Sequence, residues 1–255
     1  MELIFLMKLI SLDISTILIY FLLCLGGSYK QVILSFLIII IHEMGHIFFL
    51  RIFKVSIDKI TIYPFGGLIT THKLINYPPL RELLISLGGI MNQILLIPIF
   101  KTLLSLSYIN SYTYYLFMKL NLSILLFNLL PIFPLDGYLI LSSILNIWIP
   151  YLKSNILSIM ISLGSLIIFI IVSFNLKINS IFVISFLVYK IYIYLKDYKY
   201  YKNKFILERI IYDVPYHKIV YKSYYSPYYL GLNKYYYFNY QSEKKYLKNY
   251  YHDYI

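Results

Sequence analysis

Cysteine is nearly absent from this chain of 255 residues: Cys24 stands alone, inside an apolar run. One thiol excludes an intrachain disulfide and a multi-thiolate zinc site, so any metal held here must use histidine and carboxylate ligands. Charge is scarce as well. Asp, Glu, Lys and Arg make up 13% of the residues against 60% hydrophobic, and the mean hydropathy is +0.71. That balance excludes an ordinary soluble globule and fits a membrane protein. Acidic residues are the scarcer sign, 11 against 23 basic, for a net charge of +12. No groove-reading motif accompanies the excess, and Lys and Arg gather in short gaps between apolar runs and in the C-terminal tail. The charge therefore reads as membrane topology and attraction to anionic headgroups of a lipid bilayer, with no nucleic acid as partner. A small-residue cleavage site after the first apolar run is missing too, so residues 9–25 read as a retained span and not as a signal peptide.

What the chain does contain is residues 38–50, Ile-Ile-Ile-Ile-His-Glu-Met-Gly-His-Ile-Phe-Phe-Leu. On an α-helix residues four apart project about 40° from one another, so His42 and His46 share a face, one turn apart, and can chelate one ion. Glu43 stands beside them as a base. Ionisable groups in an apolar helix cost roughly 2.5 to 3.5 kcal/mol each when charged on insertion scales, and Zn²⁺ binding is the compensation that fits these side chains.

Apolar runs at residues 9–25, 31–50, 83–104, 114–130, 156–174 and 180–195 predict six transmembrane helices in residues 1–195, an all-α membrane protein. Residues 140–148 form an apolar piece too short to cross. Placing both termini in the cytoplasm puts segments 1–8, 51–81 and 131–153 and the tail on the inside, and leaves little beyond Lys30, Lys101 and Lys177 outside. Residues 59–72, KITIYPFGGLITTH, break the helical period with β-branched residues around a Pro-Phe-Gly-Gly turn and predict a β-hairpin after the second helix. Its position beside the metal helix suggests that it dips into the membrane, shielded by protein or water, and holds an extended peptide along its edge through Phe65, Gly66 and Gly67; the plainer reading is a surface hairpin tethering two spans. Residues 196–255 are basic and Tyr-rich, with little aliphatic material, and are expected to be a lipid-hugging or partly disordered cytoplasmic tail without catalysis. His72, His217 and His252 lack ligand spacing and are read as ordinary polar residues.

Chemistry appears a second time near residue 136, where Asn128-Leu-Leu-Pro-Ile-Phe-Pro-Leu-Asp136-Gly137 breaks a helix at Pro131 and Pro134 and lets Asp136 turn inward. His42, His46 and Asp136 would then bind one Zn²⁺ per chain and leave the fourth tetrahedral position for water, whose proton Glu43 takes. Attack on a peptide carbonyl follows, with Glu43 passing the proton to the leaving amine. Asn128 either hydrogen-bonds the substrate backbone or caps carbonyls freed by the two prolines. Competing readings are a client-binding pseudoprotease, a transporter or channel with a His/Glu proton relay, and a membrane zincin of unrelated fold that uses a Glu as third ligand.

These residues resemble the site-2 intramembrane metalloproteases of peptidase family M50, whose hallmarks are His-Glu-x-x-His in one span and Leu-Asp-Gly in a later one. IHEMGH (41–46), the Pro-Phe-Gly-Gly of 64–67, NLSILLFNLLPIFPLDG (121–137) and FILER (205–209) are similar to the stage IV sporulation protein FB branch. The resemblance implies His42, His46 and Asp136 as ligands, Glu43 as the catalytic residue, and a substrate contact for Asn128. It also implies six spans, a membrane-associated protein substrate such as pro-sigma-K, inhibitory membrane partner proteins, and a place in the mother-cell membrane around the forespore. The tail departs from that branch, being too short and too poorly patterned for a CBS domain.

Overall fold

In the computed structural model the described residues are 10–63, 66–71, 75–173, 179–212, 216 and 218–251. Their elements run β1 (Ile10–Leu12), α1 (Ile14–Leu25), α2 (Tyr29–Ile52), β2 (Ile57–Tyr63), β3 (Gly66–Thr71), α3 (Pro79–Ser105), α4 (Ser111–Asn128) and α5 (Asp136–Trp148), then α6 (Tyr151–Ser173), α7 (Asn179–Lys196), α8 (Tyr198–Ile211), β4 (Lys218–Lys222), β5 (Lys234–Phe238), β6 (Gln241–Ser242) and α9 (Glu243–Tyr250). They group into two units, Met1–Lys73 with Leu84–Leu129, and Leu74–Leu83 with Leu130–Ile255. The tail groups with α5, α6 and α7 in the second of these.

In the first unit β2 and β3 pair antiparallel, with Tyr63 opposite Gly66 and Ile57 opposite Thr71. The turn residues Pro64 and Phe65, and His72, lie outside the described residues, as do His217 and His252. The strand β1 adds to β2 in parallel, Ile10 opposite Ile60. This corrects the single span expected over residues 9–25. The Ile62 carbonyl accepts both the Asp13 N–H at 3.1 Å and the Thr16 hydroxyl at 2.8 Å, so the chain ahead of α1 satisfies its backbone by pairing with β2. The helix that follows has 12 residues, about 18 Å at 1.5 Å per residue against a hydrocarbon core of ~30 Å.

Among the described residues three helices are long and apolar enough to cross a membrane: α2, α3 and α6, of 24, 27 and 23 residues. α4 and α7 have 18 residues each. α3 starts at Pro79, four residues before the expected span, because proline suits a first helical turn whose N–H groups have no partner inside the helix. α4 starts at a capped end, the Asn110 side chain accepting from the Thr113 N–H at 2.8 Å. Leu34 and Ile38 of α2, Leu96 and Phe100 of α3, and Leu116 and Phe117 of α4 form the buried core of this unit, with the Phe100 and Phe117 rings stacked.

The second unit takes up the chain just after α4 ends. Pro131 and Pro134 stand in the non-helical stretch before α5, as their missing N–H groups require. α5 has 13 residues, too few to cross. Ser162 on α6 accepts the Phe133 N–H at 2.8 Å, which ties the broken stretch to a long helix.

The tail overturns the expectation of a lipid-hugging or partly disordered segment. Phe205, Ile206, Ile210, Leu230, Leu232, Tyr236, Phe238 and Leu247 bury together with Leu152 of α6. At its centre Arg209 and Glu243 form a buried ion pair, both charged groups being almost wholly covered. A buried pair is stable only where further bonds offset its desolvation. Here Arg209 also donates to the Asn76 side chain at 3.1 Å and the Lys234 carbonyl at 2.6 Å, while Glu243 accepts the Tyr236 N–H at 2.9 Å. Tyr236 donates its hydroxyl to the Tyr229 carbonyl, and burial raises its phenol above the ordinary range. Tyr236 is thus part of the core of this unit.

Candidate metal centre

His42 and His46 sit one turn apart on α2, both buried, and their Nε2 atoms lie 3.0 Å from each other. The far side of each ring is held. His46 Nδ1 lies 2.7 Å from the Ile85 carbonyl of α3. A carbonyl only accepts, so that nitrogen carries the proton and, in a neutral ring, Nε2 carries the lone pair. His42 Nδ1 lies 3.0 Å from Gln93 Oε1, also on α3, and the same reasoning applies. Two lone pairs thus face one another at 3.0 Å, an arrangement that a shared cation stabilises. Donation from the second nitrogen to a carbonyl or amide is also the usual way in which ligating histidines are oriented.

The space for an ion comes from glycine. α2 and α3 cross in backbone contact: a Cβ on Gly45 would lie 2.1 Å from the Gly88 carbonyl oxygen, and one on Gly88 2.5 Å from that of Gly45. Asn92 reinforces the crossing by donating to the Ile41 carbonyl at 3.0 Å. One residue further, a Cβ on Gly89 would lie 2.5 Å from His46 Nε2 and 2.6 Å from His42 Nε2. The absent methyl leaves a cradle at the point where the two nitrogens converge. Donor type, tautomer and space all fit a zinc ion.

Glu43 is buried beside this pair, and its Oε1 accepts the Gly67 N–H of β3 at 2.8 Å. An amide that donates to Glu43 faces away from β2, so the carboxylate lies along the outer edge of β3. The fit is close, since a Cβ on Gly67 would come within 2.3 Å of Glu43 Cδ.

Four of the residues singled out from sequence, His42, Glu43, His46 and Gly67, are therefore together in the first unit. Gly66 opens β3, and Asn128 closes α4 and is buried. Asp136 is the first residue of α5, in the second unit, followed by buried Gly137 and Tyr138. Phe65 lies outside the described residues. Sequence reasoning missed Gln93, Asn121 and the special place of Gly89. The available signal was polar residues inside apolar helices, which are costly unless they serve a purpose.

A His-Glu-x-x-His helix with converging imidazoles and a strand held against its glutamate defines a class, the membrane zincins. The chain matches the model of peptidase family M50 over residues 31–111. Among its relatives is stage IV sporulation protein FB of Bacillus subtilis, 31% identical over 191 residues, which are 72% of this chain and 65% of that protein. A zinc metalloprotease of Methanocaldococcus jannaschii is 36% identical over 127 residues, 48% of this chain and 36% of the relative. The chain thus spans less than two thirds of the length of either curated relative. The solved site-2 protease from Methanocaldococcus jannaschii superposes with a TM-score of 0.55 at 29% identity, covering 71% of this chain and 88% of that one.

Proposed function

We propose that this protein is an intramembrane zinc endopeptidase of the site-2 type, which cleaves a membrane-associated protein near the cytoplasmic face. The observation that carries the reading is the 3.0 Å convergence of the His42 and His46 Nε2 atoms beside a glutamate held by a strand edge. His42, His46 and Asp136 would hold the ion. Asp136 enters on chemistry, as the acidic group that follows a double-proline break at the start of a helix, and on the Leu-Asp-Gly pattern. Bound zinc supplies a Lewis acid that polarises a peptide carbonyl and acidifies water. Glu43 takes a proton from the attacking water and delivers it to the departing amine nitrogen. Gly67 fixes the carboxylate for both transfers through its 2.8 Å bond to Oε1. Because Glu43 lies on the outer edge of β3, a substrate strand added to that edge presents its carbonyls to the glutamate. Asn128, Phe65 and Gly66 are proposed to steady that strand, and the hairpin to dip into the membrane.

The finer reading is six spans with both termini cytoplasmic, in the mother-cell membrane of a spore-former, with pro-sigma-K as the client and membrane proteins as inhibitory partners. Similarity to stage IV sporulation protein FB supports it. The test is co-expression of the full chain with its host's pro-sigma-K, comparing wild type with Glu43→Gln and Asp136→Ala. A shortened product from wild type alone, with one zinc retained in Glu43→Gln and lost in Asp136→Ala, is expected. Cleavage by Glu43→Gln at the wild-type rate would refute its role as base.

A further inference from the structure

Three helices meet at a chain of amides behind His42. Gln93 on α3 is 0% exposed and Asn121 on α4 is 1% exposed. Neither carries charge, and neither belongs to the His-Glu-x-x-His or Leu-Asp-Gly pattern. Their bonds follow one from another. The main-chain carbonyl of Gln93 only accepts, so the atom of Asn121 that faces it at 3.3 Å is the amide nitrogen. Asn121 Oδ1 is thereby turned toward the Gln93 side chain, which presents its own nitrogen at 3.4 Å. That choice leaves Gln93 Oε1, an acceptor, facing His42 Nδ1 at 3.0 Å. His42 must put its proton on Nδ1, and its Nε2 must keep a lone pair on the side of His46.

We propose that Gln93 and Asn121 are positioning residues that lock the tautomer of His42 and so prepare it to bind metal. The inference rests on the zinc reading of the site and goes beyond it, since Asn121 touches no ligand. His46 needs no such relay, because the Ile85 carbonyl cannot turn round. A glutamine amide can. Without Asn121, Gln93 flips and offers its NH₂ to His42 Nδ1, which moves the ring proton to Nε2 and removes the donor that zinc requires.

Direction of donation, and not mere packing, is what the test reads. Detergent-purified full-length protein is equilibrated with graded chelator and its zinc counted. Asn121→Leu is expected to weaken zinc retention by about 10- to 100-fold, the usual effect of losing an outer-shell partner. Adding Gln93→Glu to Asn121→Leu is expected to restore it, because a carboxylate accepts in either orientation. Gln93→Glu alone, which sets Asn121 Oδ1 against a carboxylate, is expected to retain zinc less well than the double variant. Wild-type retention in Asn121→Leu, or no restoration in the double variant, overturns the relay. A second measurement needs no variant at the relay: ¹⁵N-histidine NMR of metal-free wild type, with His42 assigned from the signal missing in His42→Asn. Protonated Nδ1 with bare Nε2 is expected, and the opposite tautomer overturns the proposal. Failure of wild type to bind zinc at all would refute the metal reading instead, and the NMR result would still decide the tautomer.

Discussion

Gly89→Ala adds one methyl group at the point where the two imidazoles converge. The new carbon would lie 2.5 Å from His46 Nε2 and from His42 Cε1, and 2.6 Å from His42 Nε2. Unstrained carbon contacts begin near ~3.5 Å, so about 1 Å of movement is required. The rings cannot tilt away without giving up the bonds to Gln93 and the Ile85 carbonyl. Nor can α3 retreat without opening its backbone contact with α2 at Gly45 and Gly88. Metal–ligand distances tolerate about 0.2 Å, one fifth of that movement, so zinc affinity should fall by ~100-fold or more. Metal-free stability should change far less: overpacking costs about 1–3 kcal/mol, and replacing glycine by alanine inside a helix returns up to ~1 kcal/mol. The assay is zinc content after equilibration with graded chelator, alongside thermal unfolding of the metal-free protein. Gly164→Ala in α6 is the control, because a Cβ there meets nothing within 4 Å. One zinc per chain in Gly89→Ala, with wild-type resistance to chelator, would refute the cradle.

Gly67→Ala should separate chemistry from metal binding: its Cβ would fall 2.3 Å from Glu43 Cδ, so cleavage should drop by about 10²–10⁴, the scale of general-base catalysis, while chelator titration finds zinc unchanged. Arg209→Ala leaves Glu243 buried without its ion-pair partner, a loss of about 3–5 kcal/mol that hydrogen exchange should report as faster exchange across α8, β5 and α9. Phe117→Ala removes a fully buried ring stacked on Phe100 and should cost about 3–5 kcal/mol in denaturant unfolding; a change below 1 kcal/mol would mean that this core does not hold α2, α3 and α4 together.

Much of the candidate site's geometry was legible because its signals are local. His42, Glu43 and His46 follow from one helical repeat, the strand pair from β-branched residues around a turn, and the end of α4 from two prolines. What the sequence hid depends on partners far away in the chain. The strand β1 looks like the start of an apolar span, and only its pairing with residues 60–62 of β2 makes it extended. The tail hides its order for a different reason. Its core mixes Tyr236 and Phe238 with a few aliphatic residues contributed by α8, α9 and the loop at Leu230 and Leu232, so no single window looks apolar. Its buried pair, Arg209 and Glu243, is 34 residues apart. Read alone, each looks like a solvated charge.

The same distance dependence explains why glycine governs the site. Helix axes usually pack 8–10 Å apart because side chains fill the space between them. At that spacing the side chains packed between two helices usually screen the main-chain carbonyls of one from the side chains of the other. The Gly45 and Gly88 crossing brings backbone onto backbone, which lets the Ile85 carbonyl come within 2.7 Å of His46 Nδ1. One turn along α3, Gly89 then lies under the ring nitrogens and Gln93 lies behind His42. The paired glycines therefore act on the candidate metal centre without touching it. Gly45→Ala, whose Cβ would meet the Gly88 carbonyl oxygen at 2.1 Å, should part the helices and disable the bonds to both histidines together. Zinc loss in that variant should be accompanied by a disordered His46 tautomer in ¹⁵N spectra of the metal-free protein. A variant that lost zinc yet kept His46 protonated at Nδ1 would show that the crossing supports the fold of α2 and not the orientation of its histidines.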